Sequence, residues 1–278
     1  LLDVGTERLT ANPSVHRNAE SAYNGILKHY GNRCKVKYCR MDDAKELKKA
    51  CKMHRIPFQT SAPYVHQSNG LIESFNRIEL FGGKASLEQC GSPLCFWPYA
   101  VVHYAFSRNM YPTASSELSP YERAFQKGPF PGIRAPFMAR IKFMQIPPLA
   151  DSKETHRLAP NKIWGVFLGW STAPGGEWTG RYFCTALTEF VGMDLRVGGH
   201  VRVQEVSEVT FEEDQVFFPL KDMYDRATGT LEGLSAPYGA VGDVAPQGLQ
   251  DLGVYEEDTG PVLSLIHISE PTRRTPIS

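Results

Sequence analysis

Asp42 and Glu73 are the two carboxylates whose placement could do chemistry. Asp42 ends the strand-like stretch over 36–41, and Glu73 lies in the first turn of a helix-like stretch introduced by Ser61-Ala-Pro-Tyr-Val-His-Gln-Ser-Asn69-Gly70. Hard divalent cations take oxygen ligands, and two-metal phosphodiester transfer needs about three carboxylates converging on ions about 3.5–4 Å apart. A strand-end Asp beside a helix-borne Glu is an economical start on such a site. At about 100° per residue, Glu73 falls with Asn69, Asn76 and Arg77 on or near the face opposite Leu71, Phe75 and Ile78. The plain alternative is an exposed helix carboxylate with no task. For Asp42 the rival is local: Asp43-Ala-Lys-Glu46 matches a capping box, so Asp43 is expected to cap the next helix and leave Asp42 as a ligand.

The elements that must position these residues alternate. Leu1–Val4 and Arg8–Val15 read as strands about a Gly-Thr-Glu turn, and Asn18–Tyr30 has helical spacing. Val36–Met41 reads as a strand, Asp43–His54 as an amphipathic helix, Ile56–Thr60 as a short strand and Asn69–Leu87 as a longer helix. Pro93–Asn109 reads as a further buried helix. This order predicts an α/β layer with helices packed on a sheet. Proline-rich residues 110–137 turn the chain into short strands at Ile141–Ile146, Trp164–Trp170, Arg181–Leu187 and Val201–Val209, a spacing that fits a small β-barrel. After Phe218-Pro219 glycine, proline, serine and acids dominate, which reads as linker.

A formal net charge of zero hides an asymmetry. Between Lys28 and Arg55 stand ten Lys or Arg against three Asp or Glu, whereas Gln204 to Val262 carries thirteen acids and two bases. A basic front and an acidic rear suggest a DNA-facing surface with a solvated connector, although exposed helix faces would give the same count. No apolar run approaches the roughly 20 residues of a membrane span, so no membrane partner is expected. The six cysteines lack the density of a disulfide framework and indicate a reducing compartment. Cys34, Cys39, Cys51 and His54 superficially resemble a zinc set, but Cys34 and Cys39 would point to opposite faces of one strand.

Arg40-Met-Asp42-Asp-Ala-Lys-Glu46-Leu resembles the Arg-Ser-Asp-Asn-Gly-Gly-Glu-Phe block of copia-type LTR retrotransposon integrases. Pro63-Tyr64, Asn69-Gly70, Glu73 and Asn76-Arg77 resemble the family's third carboxylate block. Phe96-Trp97-Pro-Tyr-Ala100, Arg108-Asn109, Pro112-Thr113, Ser119-Pro120-Tyr121-Glu122 and Gly165-Val-Phe-Leu-Gly169-Trp170 follow in the family's order, over roughly residues 1–215. The resemblance implies an α/β, ribonuclease-H-like integrase core, truncated at its amino end, then a small SH3-like β-barrel and a disordered acidic linker. It implies that Asp42 and Glu73 are catalytic carboxylates holding Mg²⁺ or Mn²⁺, and that Lys35, Lys37, Arg40, Asn69 and Arg77 contact nucleic acid. The partners implied are DNA, as element ends and target, and further copies of the protein, in the nucleus or cytoplasm.

Departures temper the activity. Asp43-Ala44-Lys45 replaces Asn-Gly-Gly, Ser74 replaces the usual Arg, and the 30 residues between Asp42 and Glu73 are a few too few. Leu1-Leu-Asp3-Val-Gly-Thr6-Glu-Arg8 resembles the family's second strand, so Asp3 is read as non-catalytic and the first catalytic Asp is expected upstream. The expected division is a partial catalytic core over 1–90, a helical extension and connector over 91–137, a barrel over 138–215 and an acidic linker over 216–262. Residues 263–278 resemble the translation of a sequencing-library adapter and are set aside. The expected function is the integrase region of a Pol polyprotein, metal-dependent DNA strand transfer, inactive as this fragment. The alternatives are a non-catalytic DNA-binding or scaffold relic and, more weakly, a ribonuclease-H-like nuclease unrelated to integration.

Overall fold

A computed structural model describes residues 1–32, 36–60, 70–144 and 161–228 of the 278. β1 (Leu2–Asp3) and β2 (Arg8–Leu9) form an antiparallel hairpin. The strand predicted over Arg8–Val15 ends after two residues. α1 (Ala19–Tyr30) begins at Asn18, whose side chain accepts from the Ser21 amide at 2.8 Å, an ordinary N-cap. β3 (Cys39–Met41), α2 (Lys45–Met53) and β4 (Phe58–Thr60) form a strand–helix–strand unit whose two strands pair in parallel. Ile26, Met41, Ala50, Cys51 and Ile56 pack with α1 into one small core.

α3 (Gly70–Cys90) and α4 (Trp97–Arg108) pack side by side, and α5 (Pro120–Phe125) follows through the proline-rich turn. Five antiparallel strands come next: β5 (Arg140–Met144), β6 (Lys162–Thr172), β7 (Trp178–Ala186), β8 (Val203–Val206) and β9 (Val209–Thr210), in the order β8-β7-β6-β5-β9. The strand predicted over Val201–Val209 is thus divided between the two edges of the sheet. Only three residue steps, about 10 Å of chain, join Val206 to Val209. A flat five-stranded sheet would hold its edges about 19 Å apart. The sheet is therefore rolled, and the register shifts between Phe167 and Gly169 and between Trp170 and Thr172 supply the local bend.

Two cores tie the helices to this sheet. Phe96, Tyr99 and Ala100 of the helical segment share one with Met138, Val166 and Leu168, while Met110, Tyr121 and Phe130 share the other with Phe143, Phe167 and Trp170. Trp170 lies at the centre of the second, stacked 5.1 Å from Phe106 and 4.8 Å from His103 between ring centroids. Each such ring pair adds about 0.5–1.5 kcal/mol beyond area burial.

A single ribonuclease-H-like sheet is not among the described residues, where β1–β2 and β3–β4 are separate two-stranded ladders. The segment read as linker from residue 216 begins instead with ordered chain. Leu220 is buried, and Phe218 and Tyr224 of α6 (Lys221–Thr228) pack on the first shared core. The short apolar spacing Phe218, Leu220, Tyr224 sits among charges, which is why composition alone reads it as linker. Residues 229–278, with the rest of the acidic stretch and the adapter-like end, lie outside the described residues.

Candidate functional site

Asp42 follows the last residue of β3 and is half-buried. It stands at the carboxyl end of a parallel strand, the end at which open α/β sheets gather ligands. Its Oδ1 accepts the Ala44 amide at 3.4 Å, so the loop into α2 is closed by Asp42 itself. The predicted capping box is absent. Ala44 is the N-cap and no side chain caps it; Asp43 pairs with Lys48, and Glu46 pairs with Arg17 at 2.5 Å. Lys48 and Arg17 hold these two carboxylates in ion pairs. β3 alternates as a strand should: Cys39 and Met41 turn to the helices while Arg40 is exposed, with Lys37 exposed just before it.

Glu73 is exposed in the first turn of α3, as are Ser74 and Arg77. The face opposite, however, is not the one expected. Leu71 is 55% exposed and Ile78 37%, while the buried positions are Glu79, Gly83, Leu87 and Cys90. The cause is the approach of α4. A Cβ on Gly82 would lie 2.2 Å from the Tyr104 ring and one on Gly83 2.6 Å from Val101 Cγ1, so the side without side chains faces inward. Lys35 and Asn69, both assigned to nucleic acid from the sequence, lie outside the described residues.

Asp3 has a structural task. It accepts the Gly5 amide at 3.0 Å and the Thr6 hydroxyl at 2.8 Å, closing the turn between β1 and β2. The hairpin is then held from outside. Glu7 accepts hydroxyl hydrogen bonds from Thr113 and Ser115, each at 2.6 Å, and a guanidinium hydrogen bond from Arg123 at 3.0 Å. These donors hold its carboxyl down at about 2. Asn109 accepts from Leu9 N at 2.9 Å and donates to Leu9 O at 2.7 Å, acting as a missing strand partner. The Arg108-Asn109 motif is therefore explained by packing, with Arg108 lying 4.8 Å above the Phe75 ring.

Asp42 and Glu73 offer the oxygen donors that Mg²⁺ or Mn²⁺ prefers. Yet no group of three His, Cys, Asp or Glu side chains that could hold a metal ion occurs among the described residues. The donor chemistry fits; the described donor number does not. The zinc-like set does not assemble among these residues either. The His54 ring stacks 3.9 Å from that of Tyr23 and donates Nε2–H to the Tyr23 carbonyl at 2.9 Å, while Cys51 lies against Met41. Cys34 lies outside the described residues.

Three features escaped the sequence. Glu79 is only 4% exposed inside α3, and burial pushes its carboxyl up against the opposing pull of the Leu1 amino group and Arg108. Arg140 and Lys142 lie 4.6 and 4.3 Å from the half-exposed Trp164 ring, and Arg140 is also 4.8 Å from Phe217. The i, i+2 spacing of Arg140 and Lys142 could have shown the shared face; Trp164 reaches it only through the β5–β6 register. The third is a cavity bordered by Arg8 and Lys28, which meet only when α1 and the hairpin fold against the sheet.

No protein-family model and no curated protein matches the chain. Among solved structures, the chain is similar to one in the simian T-cell lymphotropic virus intasome in complex with the PP2A regulatory subunit B56 gamma. That similarity has 14% identity and a TM-score of 0.38, over 78% of this chain and 71% of the other. Likeness at this level fixes neither family nor activity.

Proposed function

We propose that the chain is a DNA-handling, integrase-type region of a copia-like Pol polyprotein, with a ribonuclease-H-like lineage in its first part and an SH3-like barrel in its second. Asp42 and Glu73 are two of the carboxylates of a Mg²⁺ or Mn²⁺ site, and the chain on its own does not join DNA. The observation that supports this best is the parallel β3–α2–β4 unit, with Asp42 at its carboxyl end and Glu73 exposed in the first turn of the next helix. Asp42 and Glu73 would hold the ion, which would supply Lewis-acid chemistry at a phosphodiester. Exposed Lys37, Arg40 and Arg77 supply positive charge for phosphates.

Metal binding and DNA binding test different parts of this reading. Mn²⁺ titration should give weak binding that Asp42→Asn or Glu73→Gln weakens about tenfold, about 1.4 kcal/mol, with the melting temperature unchanged. Unaltered Mn²⁺ affinity in both variants would sink the carboxylate assignment. Robust strand transfer by this chain alone would overturn the claim that it is inactive.

A second reading, a non-catalytic DNA-binding or scaffold relic, draws on the cation–aromatic patch of half-buried Arg140 and Lys142 with exposed Trp164. It expects salt-sensitive DNA affinity that Lys142→Ala weakens and Asp42→Asn leaves alone.

A further inference from the structure

We propose that the cavity between the amino-terminal hairpin, α1, α4 and the rolled sheet is a binding site for a small organic anion with an aromatic body. The cavity measures about 400 Å³, a volume that suits a compact ligand. Its apolar walls include Leu27, Val102 and the aromatic residues Phe106 and Trp170. Arg8 and Lys28 bring two cationic side chains to the same space, with Asn12 and Asn24 beside them. No Asp or Glu is among the described lining residues.

Arg8 carries the argument furthest. It is buried, and its guanidinium donates to two neutral carbonyls, Gly175 O at 2.8 Å and His29 O. Its Nε has no hydrogen-bond partner among the described residues. The acid whose field reaches it is Asp3, already engaged in the hairpin turn. A buried charge is costly unless it is paired, and a carboxylate in the cavity would pair it while an aromatic body filled the apolar part. Gly176 keeps that guanidinium in place, since a Cβ there would lie 2.1 Å from Arg8 Nη1.

Lys28 makes the site sensitive to pH. Burial lowers its amine to about 8. The other titratable groups around the cavity are Arg8, His103 and Tyr121; burial holds His103 at about 4 and raises Tyr121 above its usual value. Arginine stays charged throughout, so Lys28 is the group that loses its charge between pH 7 and 9. An anion prefers the protonated amine, and its affinity should fall about tenfold over that interval.

Calorimetric titration of the full chain with 2-naphthoate, its neutral isostere 2-naphthamide and inorganic phosphate separates charge from shape. The expected result is one naphthoate bound per chain, naphthamide at least about tenfold weaker, and no binding of phosphate alone. Lys28→Met should reduce the preference for the anion to the part that Arg8 supplies and remove the pH dependence, whereas Lys28→Arg should keep the affinity at pH 9. Asn24→Phe, a half-buried change at the lining, should block binding without lowering the melting temperature. Equal affinity for naphthamide or phosphate overturns the proposal, as does unchanged binding in a folded Asn24→Phe protein. Should a variant fail to fold, the comparison of the three ligands on the unaltered chain decides.

Discussion

Glu7 and Asn109 show how single side chains hold the first ten residues to the rest of the molecule. Glu7 has a carboxyl depressed to about 2 by hydrogen bonds from Ser115, Thr113 and Arg123. A depressed carboxylate stabilises the fold above its unfolded value near 4.5, and that contribution is lost as pH falls through about 2. The urea midpoint of the protein should therefore exceed that of Glu7→Gln at pH 5.5, with the gap closing towards pH 2; a gap independent of pH would refute the hydrogen-bond account. Asn109→Leu leaves the buried amide and carbonyl of Leu9 without their partners. Its expected cost is about 2–6 kcal/mol in chemical denaturation, from about 1–3 kcal/mol for each of the two stranded groups.

The helices succeed or fail by local rules that their neighbours can override. Ser119 and Glu122 form a complete capping box at α5, followed by proline in the first turn. Ser119→Ala should cost about 1 kcal/mol. The similar sequence at Asp43–Glu46 forms no box: Ala44 is the N-cap, and the two carboxylates pair with Lys48 and Arg17. Gly83 gives the opposite lesson. Alanine is the better helix former by about 1 kcal/mol, yet Gly83→Ala should destabilise the protein because a Cβ would lie 2.6 Å from Val101 Cγ1. A thermal melt in which Gly83→Ala rises would show that α4 can retreat.

The whole molecule is governed by shared cores more than by the boundaries expected at residues 90 and 137. Both large clusters draw residues from the α4–α5 region and from the rolled sheet. A fragment covering 138–228 would expose Phe143, Phe167 and Trp170 where Phe106, Tyr121 and Phe130 now lie. Produced alone, it should give no dispersed amide NMR spectrum, whereas residues 91–228 should; a well-dispersed spectrum from the shorter piece would show that the barrel is independent.

Periodicity and punctuation determined most of the elements. The spacing of Ala22, Ile26 and their neighbours gave α1 and Asn18 marked its start, whereas α5 lies inside proline-rich residues read only as a turn. The order of motifs placed Asp42 at a strand end and Glu73 on a helix, because both signals are local to a few residues. Tertiary structure decided what locality cannot carry: that α3 turns its glycines inward and leaves Leu71 exposed, that Val206 and Val209 lie on opposite edges of one sheet, and that Arg8 and Lys28 border one cavity. Those outcomes depend on which distant surfaces fit closely enough to exclude water.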